Sequence, residues 1–354
     1  MTDHFATRFV STVIFRFSKY GLRRVAVLGL LGTGVLVWTF LNLLLDPALA
    51  TLFSLIVGGF VAACLAGRWR LQIFRMNRRA RLLETRVSSS QGARGFTSWW
   101  EWPVETSTRE AVEAARKGAE DREVVIGRID NDGRVLGVFG ELPGVETIDE
   151  MRFVERYRYP IDIVVIEDHV LVRKDFRGDK KGFLQEWHNL LLLQGKGNVP
   201  AVFRADERRC HLYKGFIPGQ TVRDVLVNAG AEILSVQTDN DRELAGMPPG
   251  AKIEAVWARG KALIPSCLPE CFLCELETQV KKIHGCGVAG LSLTYGNIMM
   301  DPQSGAPWLL DFDGAQAYRS TSGPLFIFRR NQDLVTFNKI YGRSITSAES
   351  SKTF

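Results

Sequence analysis

Two long apolar runs lie near the start of the chain. Residues 25–45 and residues 47–67 contain no charged side chain, and only Asp46 separates them. Each run has the roughly 20 apolar residues that a helix needs to cross the hydrocarbon core of a bilayer. The pattern predicts a two-helix transmembrane hairpin over residues 24–67. A cleaved signal peptide fits less well, because a second run follows at once and each run is too long.

Basic residues flank this pair of runs on both sides. Five lie before the first run and six after the second: Arg8, Arg16, Lys19, Arg23, Arg24, then Arg68, Arg70, Arg75, Arg78, Arg79 and Arg81. The positive-inside rule then predicts a multi-pass protein of the plasma (inner) membrane with both termini in the cytoplasm. Residues 1–23 form a basic lead that is either an interfacial helix or a simple flank.

The sequence pI is near 9.0. Since the basic surplus is concentrated beside the apolar runs, the expected partners are membrane lipids with anionic head groups near Arg68–Arg81. Nucleic acid is not an expected partner, because no nucleic-acid-binding motif is present.

The next segment, residues 68–149, is interpreted as a basic juxtamembrane helix followed by a small adaptor region. It contains a tryptophan cluster at Trp99–Trp102 and a helical pattern over Thr108–Glu120. A strand pair is predicted at Val124–Ile129 and Val135–Phe139, around an Asn-Asp-Gly turn. The sequence assigns no function to this region.

From residue 150 the pattern predicts an α+β domain that ends near residue 345, followed by a tail at 346–354. β-rich runs at Ile161–Ile166 and Val170–Arg173 form a hairpin, and a helix follows over residues 179–194. Further elements are a strand through His211–Phe216, a helix capped by Thr221, an irregular stretch over 229–266, and a helix after Pro269.

Two residues in this domain suggest a buried ion pair. Lys174 ends the second strand of the hairpin, and Glu186 lies on the helix three residues after Phe183 and four before Leu190. Glu186 therefore lies on the apolar, core-facing stripe. A carboxylate in such a place needs a partner, and Lys174 is the candidate.

Asn297 and Asp311 are the candidate magnesium ligands. Asn297 precedes an apolar pair, and Asp311 follows the apolar strand Trp308–Leu310. A β-hairpin that turns at Asp301–Gly305 brings both residues to one edge, and hard cations prefer such oxygen ligands.

Five strings that contain these residues resemble the protein-kinase-like superfamily. They are VLVRK, FLQEWHNLLLL, HLYKGFIPGQTVRDVL, IHGCGVAGLSLTYGNIMMD and LLDFDGA. The closest likeness is to its bacterial lipopolysaccharide-kinase-like and RIO-like branch, over about half of the chain. The resemblance implies a two-lobed domain with a small antiparallel sheet and a helical lobe, preceded by the membrane hairpin. It implies ATP and magnesium as cofactors. Lys174 would contact the phosphates and pair with Glu186, Asn297 and Asp311 would bind magnesium, and Tyr213–Phe216 would line the adenine.

The chain departs from that family at one position of the catalytic loop. Ser292 occupies the place of the usual aspartate, and a serine hydroxyl cannot accept a proton at neutral pH as a carboxylate can. Ser292 and Asp313 are therefore the catalytic candidates. Residues 155–173 also contain no glycine, so no glycine-rich phosphate loop directly precedes Lys174.

Two functions of different classes follow. The first is a membrane-anchored phosphotransferase that uses MgATP on a membrane-proximal acceptor, either a lipid-linked sugar or a protein. The second is a pseudokinase, a nucleotide-binding scaffold or regulator without phosphoryl transfer. A third and weaker hypothesis is an envelope accessory protein whose second half only docks partners.

Overall fold

The computed structural model describes residues 39, 47–90, 96–98, 106–118, 123–129, 135–137, 159–229, 249–343 and 345. The chain divides at Arg75 into two compact units, residues 1–75 and 76–354. The first element, helix α1, runs from Pro47 to Ser90.

The predicted transmembrane hairpin and the predicted inner-membrane location are wrong. The predicted second span falls in α1, which does not end at Gly67 but continues as one helix through Arg68, Arg70 and Arg75 to Ser90. The predicted first span lies outside the described residues, apart from Thr39. Among the helices that the structure describes, none is both long enough and apolar enough to cross a membrane. This finding overturns the transmembrane hairpin and the inner-membrane location. The two spans were predicted only from the apolar composition of the runs. The helix that contains the second run has a strongly basic second half.

A seven-stranded antiparallel sheet lies in the second unit. Its strands are β1 (Thr97–Ser98), β2 (Glu123–Ile129), β3 (Val135–Gly137), β4 (Ile161–Ile166), β5 (His169–Asp175), β6 (Val202–Asp206) and β7 (His211–Gly215). The order is β3-β2-β4-β5-β7-β6, and β1 pairs with the first two residues of β5, His169 and Val170. The predicted hairpin is confirmed as β4 and β5, in register from Ile161–Lys174 to Ile166–His169. The adaptor strands β2 and β3 also pair as predicted, and β2 joins this same sheet.

Two helices accompany the sheet, α2 (Thr106–Gly118) and α3 (Lys180–Leu193). Helix α3 begins where the Asp179 carboxylate accepts a hydrogen bond from the backbone N–H of Gly182. Its buried face is formed by Phe183, Leu184, Trp187, Leu190 and Leu191. Because this face is fixed by so many large apolar groups, any polar residue on it is held in place by packing.

The remaining elements are largely helical. They are β8 (Gln220–Thr221), α4 (Val222–Asn228), α5 (Pro249–Cys267), α6 (Glu270–Gly285), β9 (Val288–Ala289), β10 (Ile298–Met300), β11 (Pro307–Leu309), β12 (Gln316–Ala317) and α7 (Pro324–Tyr341). The predicted cap is confirmed, since Thr221 and Asp224 form a reciprocal capping box at the start of α4. The stretch predicted to be irregular contains helix α5 instead, while residues 230–248 lie outside the described residues.

Candidate functional site

A cavity of about 390 Å³ lies against one face of the sheet. Strands β4, β5 and β7, the segment after β7, and the β10–β11 hairpin form its wall. Its polar lining is confined to one group of side chains, namely Tyr159, Lys174, Lys214, Thr221, Ser292, Thr294, Asn297, Asp311 and Asp313. The rest of the wall is mainly apolar, so the cavity has a charged part and an apolar part.

Lys174 and Glu186 form the predicted ion pair. The Lys174 Nζ lies 2.6 Å from Glu186 Oε2. The same Nζ lies 2.7 Å from Asp311 Oδ1 and 3.5 Å from Asp313 Oδ2. Glu186 is fully buried. One ammonium group therefore links the helix α3 carboxylate to both acids of the Asp311-Phe312-Asp313 turn.

A second buried lysine, Lys214, also binds Glu186. Its Nζ lies 2.6 Å from Glu186 Oε1 and 2.8 Å from the Leu310 carbonyl oxygen. Lys214 was not among the site residues predicted from the sequence, although the strand pattern contains a signal for it. Side chains alternate along a strand, so Leu212, Lys214 and Phe216 share a face, and Leu212 pairs with Lys174.

Ion pairing sets the charge state of Lys174 and Asp311. Burial works against the charge of Lys174, but the carboxylates of Asp311, Glu186 and Asp313 outweigh it and raise its pKa well above the usual value. Burial likewise opposes ionisation of Asp311, but Lys174 and Lys214 lower its pKa to about 2. At neutral pH both groups are therefore charged.

The predicted hairpin delivers Asn297 and Asp311 to one edge. Strand β10 pairs with β11 from Ile298–Leu309 to Met300–Pro307, and the Leu310 N–H donates to the Asn297 carbonyl oxygen at 3.0 Å. The turn closes at Asp301–Gly305 through a 2.8 Å backbone bond.

Carboxylate oxygens of Glu186, Asp311 and Asp313 lie within 4.8 Å of one another. Oxygen-only ligands of this kind suit magnesium, so the residues present fit such an ion. Both carboxylate oxygens of Glu186 are bonded to lysines, whereas Asp311 bonds Lys174 through Oδ1 alone. This leaves Asp311, Asp313 and Asn297 as the groups able to hold the ion.

Ser292 contacts Asn297 directly. The Asn297 Nδ2 donates a hydrogen bond to Ser292 Oγ at 2.7 Å. This bond fixes the amide with its nitrogen toward Ser292, so its Oδ1 is the atom left for a cation. In this geometry Ser292 orients a predicted metal ligand.

The two aromatic candidates are placed differently. Phe216 lines the cavity. Tyr213 does not line it, because its hydroxyl donates to Glu123 Oε2 at 2.9 Å and Arg204 lies 4.5 Å from its ring centroid. Since Lys214 faces the cavity, the strand alternation turns Tyr213 to the opposite face of the sheet.

A buried aspartate holds the loop that contains Ser292. Asp333 on α7 accepts hydrogen bonds from the backbone N–H groups of Gly290 and Leu291 at 2.9 and 3.0 Å. Its Oδ2 also lies 2.9 Å from His284 Nε2. Asp333 was not among the residues predicted from the sequence.

Replacing Asp333 by alanine is expected to lower the free energy of unfolding by about 2–4 kcal/mol, since it leaves two backbone N–H groups and a buried histidine without their acceptor. Urea unfolding of the full-length protein measures this loss. Val335→Ala is the control, because Val335 is 58% exposed on the same helix and is expected to change stability by less than about 0.5 kcal/mol. Equal effects of the two changes would contradict the anchoring role.

Comparison with known proteins adds no relative: no protein-family model matches the chain, and neither does any curated protein.

Proposed function

We propose that this protein is a kinase-like phosphotransferase that binds the magnesium complex of a nucleoside triphosphate. The observation that carries the proposal is the position of Lys174, whose Nζ joins Glu186, Asp311 and Asp313 at the wall of a cavity. A strand lysine, a helix glutamate and an acid after a buried strand are the parts that phosphoryl transfer requires for positioning and charge stabilisation.

Each residue has a task in this proposal. Lys174 holds the phosphates, and Glu186 keeps the Lys174 ammonium at the cavity wall. Asp311, Asp313 and Asn297 would hold magnesium, which neutralises phosphate charge when bound. The apolar wall, which includes Val172, receives the base.

The proposal accounts for the charge balance of the cavity. Two ammonium groups and three carboxylates meet there, so these side chains together carry one net negative charge. A divalent cation reverses that sign and favours a polyphosphate. Metal and nucleotide are therefore expected to bind together rather than singly.

Ser292 favours a second candidate, a nucleotide-binding regulator that does not transfer phosphate. Its hydroxyl contacts Asn297 at 2.7 Å and leaves the cavity without the usual catalytic-loop carboxylate. In this alternative the site still binds the nucleotide, and binding itself is the signal.

The test is a thermal-shift titration of the full-length protein with MgATP and MgGTP. At a concentration a hundredfold above the Kd, the bound nucleotide is expected to stabilise the protein by about 2.7 kcal/mol. Lys174→Met removes the effect, while Lys196→Met, which alters an exposed loop lysine, preserves it. EDTA is expected to abolish the shift in the wild-type protein. A wild-type protein that no magnesium nucleotide stabilises would overturn the proposal.

A further inference from the structure

Lys214 is positioned as a hydrogen-bond donor toward the cavity. A lysine ammonium has three N–H donors. One is directed to Glu186 Oε1 and one to the Leu310 carbonyl oxygen. Within the described part of the chain, no group accepts the third, and Lys214 lines the cavity although it is only 6% exposed.

The ammonium of Lys214 cannot easily turn away from the cavity. Glu186 is fully buried and is itself held on the packed face of α3. The Leu310 carbonyl lies directly before Asp311, in the turn that follows β11. Moving the Lys214 Nζ would break two charge-assisted hydrogen bonds in a buried place, which is costly.

The surroundings of Lys214 suit a flat ring. Val172 pairs with Lys214 across β5 and β7, and both residues line the cavity with Phe216 and Ile217. The backbone N–H and carbonyl of Ile217 form no hydrogen bond within the described residues. An apolar slot with a few convergent polar groups is typical of a base-binding pocket.

We infer that the base selected by this cavity is guanine, or another purine with a carbonyl at C6, rather than adenine. The inference rests on the proposed nucleotide site and names its ligand more closely. Guanine presents an oxygen acceptor at C6, whereas adenine presents an amino donor there. Lys214 offers only donors, so an adenine amino group beside it leaves two donors facing each other out of water.

The expected preference is large for a single contact. Sites built to hydrogen-bond one group of a substrate reject analogues that lack it, because the buried partner is left unpaired. We expect the magnesium complexes of GTP and ITP to bind at least about tenfold more tightly than MgATP. ITP has the C6 carbonyl without the 2-amino group, so it separates the effect of the carbonyl from that of the amine.

The experiment measures the Kd of each magnesium nucleotide with the full-length protein by calorimetric titration. Lys214→Met is expected to remove the preference for GTP and ITP, and Lys214→Gln, which keeps an N–H donor, to retain part of it. The wild-type comparison decides the matter even where a variant does not fold. MgATP binding as tightly as MgGTP overturns the guanine assignment and leaves the proposed nucleotide site standing. Binding of no nucleotide overturns both.

Discussion

Replacing Glu186 by alanine is expected to destabilise the protein by about 3–5 kcal/mol, the cost of breaking a buried charge pair from one side. Lys174 keeps Asp311 and Asp313 as partners after this change. Lys214 keeps only the carbonyl oxygen of Leu310. The loss therefore arises mainly from one buried ammonium group that no longer has a carboxylate within hydrogen-bond distance.

Chemical denaturation followed by circular dichroism measures this loss, and a second change locates its origin. In the Glu186→Ala background, Lys214→Met removes the stranded charge and is expected to recover part of the lost stability. The coupling between the two changes gives their interaction energy directly. Gln185→Ala is the matched control, since Gln185 lies on the same helix and donates to the Ala315 carbonyl oxygen without taking part in the ion pairs. If Glu186→Ala causes the full loss of stability and Lys214→Met in that background lowers the stability further, this explanation is wrong.

Local patterns predicted much of the fold. The β4–β5 hairpin, the capping box at Thr221 and the β10–β11 hairpin each depend on contacts between near neighbours in sequence, which alternation and turn residues report. The membrane hairpin failed because an apolar run gives no information on where its helix ends. Helix α5 was missed because glycine and proline in residues 249–267 suggest a loop, whereas Val256 and Ile264 are buried in a helix.

Strand order was harder to predict, and it changes which segment a glycine-rich phosphate loop would occupy. The strand beside β4, on the side away from β5, is β2. The part of the chain between β2 and β4 is residues 130–160, which include β3 and contain Gly133, Gly137, Gly140 and Gly144. Residues 155–173 instead include the link between β4 and β5, which is a tight turn of Glu167 and Asp168. Their lack of glycine therefore gives no information on most of the segment between β2 and β4.

Site residues that can be recognised from their order along the chain were predicted. A site residue whose position depends on strand pairing across the sheet was missed. Lys174, Glu186, Asn297 and Asp311 come together as their order implied. Lys214 depends on its register with Val172. A single sequence reports the faces of one strand but not which neighbour lies beside it.

Replacing Ser292 by aspartate is expected to raise phosphoryl transfer by about a hundredfold to ten-thousandfold, the range that a positioned general base supplies. The carboxylate can accept the Asn297 Nδ2 hydrogen bond that Ser292 Oγ now accepts, so the orientation of Asn297 is retained while a proton acceptor is added. Release of nucleoside diphosphate from the magnesium nucleotide, measured under single-turnover conditions, reports the gain.

Ser292→Ala separates the two roles of this position. Alanine removes the acceptor for Asn297 and adds no base, so we expect weaker binding of the magnesium nucleotide and no gain in transfer. If the wild-type protein already transfers phosphate and Ser292→Asp slows it, then serine is the working residue and the regulator hypothesis is wrong. If the wild-type protein is inactive and the aspartate variant is active, then the cavity, both lysines and the acidic turn can support phosphoryl transfer. In that case the missing carboxylate alone explains why the wild-type protein is inactive. Positioning and charge stabilisation supply most of the catalysis of phosphoryl transfer. The size of the rate increase in Ser292→Asp therefore measures how well the other site residues of the native chain provide these two effects.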